Sequence, residues 1–162
     1  MKEARKVPFL AMAVAFSVVL GYVELLFPMP VAGAKLGLAN LAVLLVLYLW
    51  ETRDAFFVTV ARVLLSSLLF GGFSAFWFSM AGAVLSFWVM VLFKKWDVCS
   101  IVGVSMAGGV CHNMGQLLVA CLVVEDIRLV SFLPVFLVTG LMCGCAIGLL
   151  ARFLLPYLDR KL

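Results

Sequence analysis

The chain has 162 residues, of which 67% are hydrophobic and only 12% charged, with a mean hydropathy of +1.26. A water-soluble domain of this length has too little interior to hide so much apolar surface, so the chain reads as a polytopic membrane protein, one bundle over residues 1–162. Its formal net charge of +4 is not a nucleic-acid signal, because the cations are spread over segment ends, where they mark topology.

In chain order, Met1 to Lys6 is a basic leader, and Pro8 suits a helix first turn. Segment one runs from about Val7 to Phe27, long enough to cross a ~30 Å hydrocarbon core at 1.5 Å per residue, and Pro28 and Pro30 stop it. Its basic flank resembles a signal peptide. However, the apolar run is too long for that, has no clear cleavage site and is followed by further spans, so it reads as retained. Segment two runs from about Leu36 to Trp50 and is short. After the polar turn Glu51-Thr-Arg-Asp54, segment three covers about Ala55 to Phe70 and ends at Gly71-Gly72. Segment four runs from about Ser74 to Phe93, ahead of Lys94-Lys95-Trp96-Asp97. Segment five runs from about Cys99 to Val124, and segment six from about Val130 to Leu155, ending at Pro156. The expected architecture is an all-α bundle of six transmembrane helices with both termini on one side. On the terminal side lie Lys2, Arg5, Lys6, Arg53, Lys94, Lys95, Arg152, Arg160 and Lys161; on the other lie Lys35 and Arg128. That bias makes the termini cytoplasmic, in a multi-pass protein of the bacterial cytoplasmic (cell) membrane. The five cysteines (Cys99, Cys111, Cys121, Cys143 and Cys145) form no CxxC and have no paired histidines. They read as small apolar packing residues, and no metal site, disulfide frame or cofactor is expected.

Hydrophilic side chains inside spans carry the functional information, because a cation or unpaired amide in hydrocarbon costs kilocalories and normally faces protein, a cavity or a ligand. With the orientation above, Glu24 lies roughly 25 Å along segment one, near the outer surface. Lys35 is at the outer rim and Asn40 about two turns below it. Arg62 is on the order of 12 Å into segment three, with Ser66 a turn further out. His112, Asn113 and Gln116 lie roughly 18 to 25 Å along segment five. Most of these groups therefore fall between the midplane and the outer face. Gln116 shares a helix face with both His112 and Asn113, Arg62 shares one with Ser66, and Gly108, Gly109 and Gly115 leave room for a helix or a ligand beside them. A polar patch in a cavity open to the outside is what a small-molecule site in a bundle needs. Lys35 and Arg62 suit an anionic group such as phosphate. The substrate-binding candidates are thus Lys35, Asn40, Arg62, Ser66, His112, Asn113, Gln116 and Glu24.

Each of these has a plainer alternative. Arg62 pairs with a carbonyl or Glu24, or snorkels. His112, Asn113 and Gln116 serve as interhelical hydrogen-bonding residues, Lys35 anchors at the interface, and Glu24 is solvated. Ala11-x-x-x-Ala15, with Ala13 between, makes a smooth groove for a partner helix or for ordinary internal packing.

Three motifs, Gly33-Ala-Lys-Leu-Gly-Leu-Ala-Asn40, Arg62-Val-Leu-Leu-Ser-Ser-Leu-Leu-Phe-Gly-Gly72 and His112-Asn-Met-Gly-Gln116, together resemble the Gx transporter family, which also carries the name heptaprenyl diphosphate synthase component I. In size and span count that family is similar to the substrate-binding S components of energy-coupling factor (ECF) vitamin transporters. The resemblance implies an outward-facing substrate pocket gated by the loop between spans one and two, to which Val31 to Lys35 would belong. It also implies docking of Ala11 and Ala15 on an ECF transmembrane coupling subunit driven by cytoplasmic ATPases. Polyprenyl diphosphate synthases of the usual kind hold magnesium on Asp-rich motifs. Here Asp54, Asp97, Asp126 and Asp159 are isolated and no DDxxD exists, so no catalytic residue and no enzyme activity is expected. The expected function is a membrane-embedded binding subunit for uptake of a small vitamin-like or precursor molecule, flavin- or isoprenoid/quinone-related, with membrane lipid around it. The alternatives are a membrane subunit associated with polyprenyl diphosphate synthesis, or a scaffold without a ligand.

Overall fold

The computed structural model describes residues 2–26, 37–97 and 99–160, with side chains from residue 6 onward. Lys35, the Val31 to Lys35 loop and the side chains of Lys2 and Arg5 lie outside the described residues. The described elements are helical: α1 (Lys2–Leu26), α2 (Asn40–Leu49), α3 (Thr52–Ser66), a π-helical turn (Ser67–Gly71), α4 (Gly72–Trp96), α5 (Ile101–Val124), a 3₁₀ turn (Ile127–Phe132) and α6 (Leu133–Asp159).

Among the described residues, four stretches are long and apolar enough to cross a membrane: Lys6–Leu26, Thr52–Trp96, Ile101–Val124 and Ile127–Asp159. Only 17% to 33% of an apolar 18-residue window in each is buried, so their apolar side chains mostly face outward, a surface that lipid rather than water accommodates. The chain is a multi-pass membrane protein. The expectation of six spanning segments needs revision at one place, and segments three and four stand as two helices. The 45-residue stretch Thr52–Trp96 is not straight: the rings of Phe56 and Phe87 are 5.4 Å apart, whereas 31 residues of straight helix would separate them by about 46 Å. The stretch doubles back between the π turn and α4, at Gly72, whose φ of 68° is open to glycine at little steric cost. The place that needs revision is α2, which has ten residues, about 15 Å of helix and half a hydrocarbon core.

Segment ends also shift for identifiable reasons. α1 already begins at Lys2, so Pro8 is inside the helix rather than in its first turn. Segment two starts later than Leu36, because Gly37 (φ 73°) makes a turn in which the Asn40 amide donates to Gly37 O at 2.8 Å. α6 proper begins at Leu133 after the 3₁₀ turn, and it runs through Pro156 to Asp159.

α2 is enclosed on all sides. Leu41, Val43, Leu44, Val46 and Leu47 are at most 2% exposed, and they form the hydrophobic core with Val58, Phe87, Val104 and Ala151 from four other helices. Several basic residues gather at one end. There Lys6 pairs with Asp54 at 3.0 Å, Asp54 also accepts from the Glu51 amide that opens α3, and Lys94 donates to Leu47 O at the C-terminal end of α2, where the helix dipole favours a cation. On the far side of α2, α5 and α6 touch backbone to backbone. A Cβ on Gly140 would lie 2.8 Å from Val110 Cα, one on Gly144 2.7 Å from Met106 Cα, and one on Gly148 2.7 Å from Val102 Cα.

Three substitutions probe this packing. Leu44→Ala leaves a void inside α2's shell and is expected to destabilise the detergent-purified protein by ~2–5 kcal/mol. Leu122→Ala, on the outer face at 76% exposure, is expected to change it by no more than ~0.5 kcal/mol. Gly144→Leu must push α5 and α6 apart and is expected to cost ~3 kcal/mol or more. Thermal unfolding monitored by circular dichroism reads all three.

Candidate functional site

Arg62 lies ten residues from the start of α3, about 15 Å from the basic end, the same depth at which α2 begins. The helical register points it at Asn40. Arg62 Nη2 donates to Asn40 Oδ1 at 2.5 Å, a buried contact between α3 and α2, and both residues are 7% exposed. Arg62 Nε is buried without a partner. Glu24, on α1, lies within electrostatic range of Arg62 and accepts from the Gly37 amide at 2.7 Å, fastening the turn that leads into α2. A guanidinium this deep is expensive to desolvate. One neutral amide and a carboxylate in range leave part of its donor capacity unused.

The second group stands on α5. Asn113 Nδ2 donates to Phe136 O at 3.1 Å and Thr139 Oγ1 at 3.2 Å, tying α5 to α6. His112 and Gln116 instead turn toward α4: a Cβ on Gly82 would meet His112 Cε1 at 3.1 Å and Gln116 Cγ at 3.0 Å. Glycine at 82 is therefore what lets these two larger side chains sit between the helices. Gln116 Oε1 has no partner there, and neither has Ser86 Oγ one turn along α4.

Between these groups lies a void lined by, among others, Gly37, Asn40, His112, Asn113, Cys143 and Ile147. Its free space is about 10 Å³ for the centre of a water-sized sphere, enough for about one water. Ligand sites for drug-sized molecules run to about 300–1,000 Å³, so the void takes one polar atom and not a whole vitamin-sized molecule. Asn40, His112 and Asn113 meet on its wall, and Arg62 stands directly behind Asn40. Ser66 points elsewhere, toward Gly21 of α1 at 3.7 Å from a Cβ placed there. Gln116 is in the α4–α5 contact, and Glu24 holds the Gly37 turn. Ala11 and Ala15 are on the exposed face of α1, whereas Ala13 packs against the core. Among the described residues, no group of three or more His, Cys, Asp or Glu is placed to hold a metal ion.

Sequence reasoning passed over three contributors. Cys143 and Ile147 complete the cavity wall, and Ser86 adds a buried hydroxyl beside it; nothing distinguishes these from ordinary span residues in a linear sequence. Gly140, Gly144 and Gly148 did carry a signal, since glycines four residues apart form one stripe along a helix and invite close packing.

No curated protein matches the chain. No solved structure matches it either. The model of one family, described as heptaprenyl diphosphate synthase component I, matches residues 13–154. That range takes in the α2 turn, the Arg62–Asn40 contact, the α5 polar group and the glycine stripe of α6, and this chain belongs to the heptaprenyl diphosphate synthase component I family.

Proposed function

We propose that the protein is a membrane-embedded binding subunit of the S-component type, without catalytic activity of its own. It takes a small vitamin-like or precursor molecule from the outer face and hands it to an ECF-type coupling subunit driven by cytoplasmic ATPases. In this reading the chain crosses the membrane six times, counting the α3–α4 hairpin as two passes and α2 together with the turn before it as one. The end that carries Lys6, Arg53, Lys94 and Lys95 faces the cytoplasm, as the positive-inside rule requires. The observation that carries the reading is the buried Arg62–Asn40 contact beside a void, with Arg62 Nε unpartnered. Buried polar groups in a native interior are almost always satisfied, and exceptions point to a missing ligand or water. The exposed small face at Ala11 and Ala15 supports docking on a partner helix.

The family's name favours a second reading, in which the chain is the membrane component of a polyprenyl diphosphate synthase and works with another component. The two differ in what they bind. Detergent-purified protein is expected to gain thermal stability with one class among flavins, thiamin, quinone precursors and prenyl diphosphates. At a ligand concentration 100 times Kd the gain is about 2.7 kcal/mol, and Arg62→Ala should blunt it. Stabilisation by prenyl diphosphates alone moves the assignment to the second reading. A flat response to the whole panel removes the binding subunit from consideration.

A further inference from the structure

The orientation of one amide decides what kind of atom the cavity recognises. A guanidinium has only donors, so Arg62 obliges Asn40 to turn Oδ1 toward it. The Asn40 NH₂ is then left on the opposite side, where Nδ2 lies 3.5 Å from a Cβ placed on Gly37, with Ile147 Cδ1 at 3.8 Å from the same point. Gly37 and Ile147 are both cavity wall. Asn40 thus presents a donor to the void, with a buried positive charge directly behind it. Asn113, the other amide on the wall, spends its NH₂ on Phe136 O and Thr139 Oγ1 and contributes no competing donor geometry.

Resting on the binding-subunit reading, we infer that the ligand enters this cavity through an oxyanion, a phosphate or carboxylate group, one oxygen of which accepts from Asn40 Nδ2. Arg62 is the positioning residue that fixes the polarity of that contact. A void with room for one water-sized atom suits the leading oxygen of such a group, while the rest of the molecule stays on the side of the Gly37 turn. Charge-assisted hydrogen bonds of this kind are about twice as strong as neutral ones, and more so away from bulk water. The opposite edge of the cavity offers no relief, because Gly109 and Gly140 are in backbone contact there.

The test changes donor to acceptor without removing the contact. In Asn40→Asp, one carboxylate oxygen keeps Arg62 and the other faces the void, so the variant is expected to fold while repelling anions. Inorganic phosphate and diphosphate, each against sodium chloride of equal ionic strength, are expected to raise the melting temperature of the full-length protein in detergent. They are also expected to slow alkylation of Cys143, read by mass spectrometry. Both effects should fall at least tenfold in apparent affinity in Asn40→Asp and in Arg62→Gln, and persist in Arg62→Lys, which keeps a donor-only cation on Asn40 Oδ1. Cys143 protection in the unaltered protein is read without any variant, so a variant that fails to fold does not remove the test. Equal stabilisation of the unaltered protein and Asn40→Asp, or no protection of Cys143, overturns the proposal. If an uncharged compound stabilises both forms while the anions do nothing, the oxyanion assignment falls and the binding-subunit reading stands. If no compound of any class stabilises the protein, both fall.

Discussion

A helix of ten residues enclosed by other helices poses a problem that the rest of this bundle answers. Its N-terminal turn runs from half-buried Gly37 and Leu38 to buried Ala39 and Asn40, and a polar group left unpaired inside a bundle in lipid costs kilocalories. The Gly37 amide is satisfied by Glu24 from α1, the Asn40 amide by Gly37 O, and the Asn40 side-chain oxygen by Arg62 from α3. Both α1 and α3 therefore converge on the start of α2 through hydrogen bonds. Along the rest of its length α2 is held mainly by apolar contact, with Leu41 to Leu47 almost wholly excluded from the surface, and Lys94 donates to Leu47 O at its far end.

The two sides of the bundle differ in kind. α4, α5 and α6 meet through glycines, with Gly82 against Gly115 and Gly109 against Gly140 and Gly144, so their backbones lie at distances that no larger residue permits. Without water to drive apolar groups together, such close packing is a main source of helix association in lipid. α1 and α3 instead surround α2 through larger side chains and the Lys6–Asp54 and Arg62–Asn40 contacts. The cavity lies where these two halves meet. Its shape is set by the glycine-packed side, and its polarity by the α2–α3 side.

This division links structure to the proposed role. A binding subunit in lipid must keep a polar site without exposing polar atoms to hydrocarbon. Charge on α3, an amide on α2 and a histidine–asparagine pair on α5 do so by facing inward behind apolar outer faces. Membership of the heptaprenyl diphosphate synthase component I family is compatible with a partnered membrane subunit, and Ala11 and Ala15 of α1 are exposed.

Class, the approximate limits of the long spans and the residues worth watching were legible in the sequence. These follow from local chemistry: apolar runs of membrane length, glycine and proline breaks, and the expense of placing Asn40, Arg62, His112, Asn113 and Gln116 among them. What each of those side chains faces was not legible, because helical spacing gives a face but not the neighbour opposite it. Only the tertiary structure separated Asn113, spent on α6, from Asn40, turned by Arg62 toward the void. Only it moved Ser66 and Gln116 off the cavity, recast Glu24 as the fastening of the Gly37 turn, and showed that the short second segment is the helix around which the others are packed. The composition determined the solvent this protein lives in; the contacts between distant segments decided which of its polar atoms are left over.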